Sequence, residues 1–188
     1  MFERFTKDAR AVVQAAVEHC EASEVRSVDR EHLLLALLDR EASRTSFALA
    51  ALGLRPENKE SVRQALADAR RRAGLSQAES DALAGLGIDV SRIVARVEEV
   101  HGVGAMSGDR KDKEWWSGRR TFSRGAKDVL ERALRIAVAH RDRHIGDEHF
   151  LLALTVLPGV PGEALADHGV THESLTRVLY GGGEAKAG

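Results

Sequence analysis

Residues 5–37 read FTKDARAVVQAAVEHCEASEVRSVDREHLLLAL, and residues 122–154 read FSRGAKDVLERALRIAVAHRDRHIGDEHFLLAL. An offset of 117 residues aligns the two stretches without a gap, and twelve of the 33 aligned positions carry the same residue. Ungapped identity of this kind indicates a duplicated supersecondary unit. We therefore expect the protein to contain two copies of one structural repeat.

Each copy predicts two helices. Thr6 and Ser123 stand where a hydroxyl caps a helix N-terminus, and apolar residues then recur at spacings of three and four, which is typical of a helix with one buried face. A polar turn follows, and then a shorter Leu-rich helix, predicted over Glu31–Asp39 and again over Glu148–Leu157. Because this second helix is apolar on almost every side, it is predicted to be the central, buried helix of its repeat.

A third and a fourth helix are predicted to complete each repeat. In the second copy the third helix ends at Gly169, where glycine suits a left-handed cap, and the fourth covers His172–Leu179. The first copy offers two candidate endings for its third helix, ALAALGL at residues 48–54 and ALAGLGI at residues 82–88. We choose the later one, because Ile93 and Val97, which follow it, match Leu175 and Leu179 of the fourth helix in the second copy.

This choice implies a helical insertion at about residues 54–87. The expected fold is all-α, with two four-helix units and no sheet. The expected organisation is a first repeat with its insertion at 1–101, a linker at 102–120, a second repeat at 121–180 and a flexible tail at 181–188.

Composition, charge and missing motifs argue against binding to nucleic acid or membranes and against catalysis. The 28 Lys and Arg residues against 29 Asp and Glu residues give a formal net charge of -1, so no overall field attracts nucleic acid or an anionic membrane. The chain has no apolar signal segment and one cysteine, Cys20, on a predicted apolar face, so a reducing, cytoplasmic location is expected. It also has no GxSxG elbow and no phosphate-binding loop, and we expect a non-enzymatic protein that needs no cofactor.

Five stretches, in order, resemble the tandem N-terminal domain of Clp-type unfoldases, especially the ClpC branch. They are MFERFTKDAR, EHLLLALL, FSRGAKDVLERAL, EHFLLAL and ALADHGV. The resemblance implies two four-helix repeats related by a pseudo-twofold axis, which serve as a docking platform for substrates, adaptors and arginine-phosphorylated proteins. In the full unfoldases this platform precedes ATPase modules. No phosphate loop occurs here, so the expectation is a stand-alone binding protein that neither binds nor hydrolyses ATP.

The resemblance also implies a phosphoarginine site. In similar ClpC domains the acidic residue that opens the central helix contacts phosphoarginine, which maps onto Glu31 and Glu148, with Thr6 and Ser123 as hydroxyl partners. A carboxylate can grip a guanidinium while backbone amides and hydroxyls hold a phosphate. The alternative is that each glutamate only favours the positive end of its helix dipole.

The residues before these two glutamates depart from the family pattern, which usually has Gly-Thr there. The first copy has Asp29-Arg30 and the second has Gly146-Asp147. An arginine can assist a phosphate, whereas an added carboxylate repels one. The Glu148 site is therefore expected to be the weaker of the two.

A second expected site is a groove for cyclic-peptide antibiotics. Phe2, Phe122 and Lys127 match the positions that line this groove in related domains. The alternative interpretation for Phe122 is core packing, because Phe5 and Phe122 open equivalent helices and need burial. A surface role is expected for Phe2, which precedes the helix.

Two further features favour structural roles. His32 and His149 lack additional ligands at zinc spacing, so no metal site is expected. Trp115-Trp116 stands among basic residues and is the feature that favours binding of single-stranded nucleic acid. Docking of the linker onto neighbouring helices is the preferred interpretation, because the charge of the whole chain offers no supporting field.

The sequence therefore predicts a protein- or peptide-binding module that acts as an adaptor or as a decoy. Expected partners are substrate or arginine-phosphorylated proteins, cyclic-peptide antibiotics, and a Clp unfoldase or protease complex, but not a membrane. The alternative is a regulatory or nucleic-acid-associated protein that uses the Trp/Arg linker, and a third possibility is an enzyme with an unrecognised site. Salt-sensitive binding to nucleic acid separates the second from the first.

Overall fold

The computed structural model describes residues 2–23, 25–72, 74–101 and 120–181. These residues form ten α-helices, one short 3-10 helix and two strands of two residues each, so the expected all-α class is confirmed. Trp115-Trp116, most of the predicted linker and the tail after Gly181 lie outside the described residues. The helices are α1 (Lys7–Ala22), α2 (Arg30–Asp39), α3 (Arg44–Ala51), α4 (Pro56–Arg71), α5 (Gln77–Gly85), α6 (Val90–His101), α7 (Arg124–Ala139), α8 (Asp147–Val156), α9 (Val160–Ala166) and α10 (His172–Tyr180).

The first helix of each repeat starts at the predicted cap. The hydroxyl of Thr6 accepts a hydrogen bond from the amide of Ala9 at 3.1 Å, and that of Ser123 accepts one from Ala126 at 3.0 Å. Each bond satisfies an amide that has no partner within the helix. The apolar faces that follow are buried in α1 and α7, as the spacing of three and four predicts.

The Leu-rich helices α2 and α8 form the centre of the molecule. They pack against each other, and α1 lies on α2 in the same way as α7 lies on α8. Both begin one residue earlier than predicted and carry most of the fully buried leucines. In the part of the chain that the structure describes, no single helix is long and apolar enough to cross a bilayer, although α8 and α9, bent by 96° at their junction, pass that test as a pair.

The expectation of no sheet needs one correction. Strand β1 (Ser27–Val28) pairs in parallel with β2 (Thr121–Phe122), and Phe5 forms an equivalent parallel bridge with Ile145. The offset of 117 residues relates the two pairings, with the roles of the repeats exchanged. Each short pairing joins the residue before the cap of the first helix in one repeat to the residue before the cap of the central helix in the other. The backbone polar groups of these extended residues find partners in this way.

The third helices end in matching ways at Gly53 and Gly169, whose φ angles are 87° and 73°. The next residues, Leu54 and Val170, are buried, and each donates its amide to the carbonyl five residues earlier, at 2.9 and 3.0 Å. This is the hydrogen-bonded helix ending that a left-handed glycine permits. The ending at residues 48–54 is therefore the counterpart of the ending in the second repeat.

Helix packing leads to the same assignment. Helix α4 packs on α9, and α10 packs on α3, so α4 stands in the first repeat where α10 stands in the second. Helix α5 buries no residue, and Ile93 on α6 is 45% exposed, whereas its predicted match Leu175 is fully buried. We infer that α1–α4 form the first repeat and that the additional helices are α5 and α6, in place of the insertion expected at residues 54–87.

Candidate functional site

The cap residue of each repeat lies beside the central helix of the other. The amide of Thr6 donates to the carbonyl of Ile145 at 3.0 Å, and the amide of Ser123 donates to that of Val28 at 2.9 Å. Each hydroxyl is therefore held close to a helix start that belongs to the opposite repeat. The sequence could not show this exchange, because the hydroxyl and the carboxylate of one site come from different copies.

Two cavities lie at these junctions. One, the Glu31 cavity, has a volume of about 500 Å³. Its walls come from α2, α4, α7 and α9, and its lining includes Glu31, Leu66, Arg70, Ser123, Arg124 and Val160. The other, the Glu148 cavity, has a volume of about 250 Å³, and its lining includes Thr6, Asp8, Arg44, Asp142, Asp147 and Glu148. Ser123 thus accompanies Glu31, and Thr6 accompanies Glu148.

The Glu31 carboxylate already holds a guanidinium. Arg70, in the last turn of α4, places Nη2 at 2.6 Å and Nε at 3.2 Å from Oε1 of Glu31. The Glu31 side chain is 25% exposed and the Arg70 side chain 38% exposed, so the pair is open to solvent at one side of the cavity. The carboxylate is therefore accessible and chemically suited to a guanidinium donor.

The residues before Glu31 tie the two repeats together. The hydroxyl of Ser123 donates to Asp29 at 2.8 Å, and the guanidinium of Arg30 donates from Nη1 to the carbonyl of Pro158 at 2.5 Å and from Nε to that of Gly125 at 3.2 Å. Arg30 lines the cavity, but its donors serve the second repeat. Arg30 was expected to assist a phosphate, but its donors are already used in hydrogen bonds to the second repeat.

The Glu148 carboxylate is buried and paired with an arginine of the first repeat. Its Oε1 accepts from Nη1 of Arg44 at 2.6 Å, while Oε2 is buried without a hydrogen-bond partner. Burial disfavours the charged form and raises the pKa of Glu148 to about 7, although the charge of Arg44 opposes this shift. Half of the Arg44 side chain is exposed, and its guanidinium lies over the ring of Tyr180, 5.9 Å from the centroid.

Asp147 was expected to repel a phosphate, but its carboxylate is bound to the start of α3. Its Oδ2 accepts from the amide of Thr45, at the start of α3, at 3.1 Å. Burial raises its pKa, but hydrogen bonds from Ser43 and Thr45 outweigh burial and hold that pKa below its ordinary value. The charge is therefore engaged in capping a helix of the first repeat, which weakens the argument that Asp147 repels a phosphate.

The two histidines serve the starts of the central helices. Nδ1 of His32 accepts from the amide of Asp29, and Nδ1 of His149 accepts from that of Gly146, both at 2.9 Å. Nε2 of His149 then lies 3.0 Å from Asp142. Because Nδ1 is an acceptor, the ring proton is on Nε2, where it is donated to that carboxylate. Burial lowers the pKa of both histidines, so their rings favour the neutral form. No cluster suited to a metal ion occurs among the described residues.

The described residues of the predicted antibiotic groove do not meet at either cavity. Phe122 is half-buried against the core and Lys127 is exposed on α7, and neither lines the Glu31 cavity or the Glu148 cavity. The side chain of Phe2 lies outside the described part of the chain. The site at Phe2, Phe122 and Lys127 stays a prediction.

Sequence reasoning missed the two arginines. The sequence does mark Arg70 as part of the basic run ARRR at residues 69–72, which ends a charged helix, but it does not show that Arg70 pairs with Glu31. Arg44 carried no local signal, since it lies 104 residues from its partner. Both were invisible as partners because an ion pair between distant residues leaves no periodic pattern in the sequence.

Comparison with known proteins agrees with this architecture. The family described as "Clp repeat (R) N-terminal domain" matches residues 4–102, which is more than half of the chain. The crystal structure of the N-terminal domain of the caseinolytic protease associated chaperone ClpD from Arabidopsis thaliana is similar with a TM-score of 0.51 and 19% sequence identity, over 95% of this chain and 94% of that one. At this identity the likeness shows the fold alone. The family match, however, covers more than half of the chain, including α2 and α4, which carry Glu31 and Arg70, and the chain belongs to the Clp repeat N-terminal domain family.

Proposed function

We propose that this chain is a non-catalytic protein-binding module that receives arginine side chains of partner proteins, including phosphorylated ones, in the Glu31 cavity and more weakly in the Glu148 cavity. Domains of the Clp N-terminal type generally bind proteins or adaptors, which supports protein partners. The module would act as an adaptor or as a decoy, according to whether a bound protein is passed on or held.

One observation carries this proposal. In both cavities a glutamate at the start of a central helix holds a guanidinium of the chain itself, Arg70 on Glu31 and Arg44 on Glu148, both at 2.6 Å. An arginine from a partner needs the same carboxylate, the same planar donor set and the same approach. The internal pairs therefore support a site whose chemistry selects a guanidinium.

The surroundings of Glu31 suit a phosphate on that arginine. Helix α7 begins at Arg124 beside the cavity. Apart from the Ala126 amide, which the Ser123 hydroxyl caps, the first amides of this helix have no partner within the helix and can donate to an anion. The exposed side chain of Arg124 adds a positive charge at the same end of the helix. Apolar residues of α4 and α9, such as Leu66 and Val160, line the rest of the cavity and offer contacts to the neighbouring residues of a peptide.

The Glu31 cavity is the stronger candidate of the two. It has about twice the volume of the Glu148 cavity, and the Glu31 side chain is 25% exposed against 4% for Glu148. A ligand reaches the Glu31 carboxylate by displacing the exposed side chain of Arg70. To reach the Glu148 carboxylate, it must displace Arg44, which compensates a buried charge.

The test is calorimetric titration of an arginine-phosphorylated peptide and of the same peptide without phosphate. Glu31→Ala should weaken binding of the phosphorylated peptide by about 1.5–3 kcal/mol, the scale of a hydrogen bond to a charged group. Glu57→Ala, the same charge change at an exposed position on α4, is the matched control and should leave binding unchanged. Equal affinities for wild type and Glu31→Ala would rule out the site.

The partner and its fate need a separate experiment. Pull-down from a cell lysate, with and without treatment by an arginine kinase, should enrich captured proteins after treatment, and Glu31→Ala should abolish the difference. Capture of a Clp unfoldase together with these proteins would favour the adaptor role. Retention of the proteins without an unfoldase would favour the decoy role.

A further inference from the structure

We propose that Arg70 is a competitor built into the chain, which occupies the Glu31 carboxylate until an arginine of a partner displaces it. This inference rests on the proposed function of the Glu31 cavity and adds a regulatory element, the C-terminal turn of α4, that sets the affinity of the site. Its basis is the geometry of Arg70 together with the unequal exposure of the two internal ion pairs.

Arg70 uses the donors that a ligand would use. Nη2 and Nε both point at Oε1 of Glu31, at 2.6 and 3.2 Å. A second guanidinium cannot share this approach, because two like charges would then lie within contact distance of each other. Binding of a ligand arginine therefore requires that Arg70 leave the carboxylate.

Departure of Arg70 is feasible because the pair is exposed. With 38% of the Arg70 side chain and 25% of the Glu31 side chain accessible, water can solvate both charges when they separate. Arg70 is also close to the end of α4, where Arg71 is the last helical residue, so its side chain can turn into solvent. The Arg44–Glu148 pair differs, because its carboxylate is almost fully buried and separation would leave that charge without a partner.

The expected size of the effect is modest. An exposed ion pair favours its paired form over its open form by a factor of about 1.4 to 5. A ligand that needs the open form should therefore bind about two- to sixfold more tightly once the arginine is removed.

Arg70→Gln tests the inference, with Arg71→Gln as the matched control. Arg71 is the next residue on α4, loses the same charge on substitution, and pairs with Asp68 and not with Glu31. In titrations with the arginine-phosphorylated peptide, Arg70→Gln should tighten binding about two- to sixfold while Arg71→Gln stays close to wild type.

Unchanged affinity in Arg70→Gln would overturn the inference and leave the proposed function standing. Weaker binding in Arg70→Gln would also overturn it, since Arg70 would then contact the ligand. If neither wild type nor Arg70→Gln binds the peptide, the proposed function itself fails, and the inference fails with it.

A second measurement needs no substitution at Arg70. In NMR spectra of the wild-type chain, the Nε–H signal of Arg70 should be protected from solvent exchange, and the peptide should remove that protection as it saturates the site. Glu31→Gln should remove it without peptide. Persistent protection at saturation would show that Arg70 stays in place and would refute the competition.

Discussion

Oε1 of Glu148 in the second repeat lies 2.6 Å from Nη1 of Arg44 in the first, so one ion pair joins the two repeats at the mouth of a cavity. The other carboxylate oxygen is buried without a partner, and burial raises the pKa of Glu148 to about 7. A hydrogen bond from the backbone amide of Glu148 and the charge of Arg44 both favour the charged form of this carboxylate. Several properties of the protein should depend on that arrangement.

Replacement of Arg44 by methionine should destabilise the protein by about 1–3 kcal/mol at pH 8, because a buried carboxylate loses its charged hydrogen-bond donor. The loss should shrink at pH 5.5, where Glu148 is protonated in the folded state. Urea unfolding measures both values. Arg96→Met, at an exposed position on α6, is the control and should change the free energy of unfolding by less than about 0.5 kcal/mol. Equal effects of the two substitutions at pH 8 would show that the Arg44–Glu148 pair contributes nothing.

Glu148 should make the protein less stable as pH rises. Its pKa is raised from 4.5 to about 7 on folding, so between these values the folded chain binds more protons than the unfolded chain. The free energy of unfolding therefore falls with increasing pH, by an amount on the order of 3 kcal/mol if the whole shift is expressed. Below pH 4.5 this contribution is fully present, and above pH 7 it is lost.

Comparison with Glu148→Gln isolates this contribution, because glutamine resembles the protonated glutamate. The buried histidines have lowered pKa values and act in the opposite direction, but they are common to both proteins. Unfolding measured from pH 4.5 to pH 8 should show wild type losing stability relative to Glu148→Gln. Parallel profiles would mean that folding does not raise the pKa of Glu148.

Gly146→Ala should disturb the same carboxylate from the backbone side. A Cβ on Gly146 would overlap the carboxylate of Glu148, which folds back over this residue. Because the carboxylate is buried, it can make room only by moving away from its place beside Arg44, and a loss of about 1–3 kcal/mol is expected from overpacking. Gly85→Ala is the control, since a Cβ there meets no atom within 4 Å. Thermal melts that place Gly146→Ala at or above wild type would contradict this account.

The end of the first repeat can be tested with two similar motifs. Leu54 follows the glycine of ALAALGL and is 1% exposed, whereas Ile88 follows that of ALAGLGI and is 39% exposed. Leu54→Ala should therefore cost about 2–4 kcal/mol, as a large buried side chain does, and Ile88→Ala should cost less than about 1 kcal/mol. Denaturant unfolding of both variants decides the matter, and a larger loss for Ile88→Ala would restore the insertion at residues 54–87.

These two motifs also show where prediction from sequence fails. Both encode the same helix ending, and in the structure both end with a left-handed glycine, Gly53 or Gly87. The local hydrogen bonds are alike, so the sequence around each glycine cannot show which helix packs on the core. Burial of the following residue makes that distinction, and burial depends on α8 and α9 of the other repeat.

The amino-acid sequence by itself determined the duplication, the all-α class, the caps at Thr6 and Ser123, and the burial of the central helices. These features depend on periodicity and on hydrogen bonds between residues three or four apart, so a short stretch contains all the information they need.

Only the tertiary structure decided how the sites are composed. It places the hydroxyl of Thr6 beside Glu148 and that of Ser123 beside Glu31, and it supplies Arg44 from 104 residues away and Arg70 from 39. Periodicity shows that a helix face is buried but not which surface covers it. Partners across the pseudo-twofold axis are chosen by the fit of whole helices, and that fit exists only once both repeats have folded together.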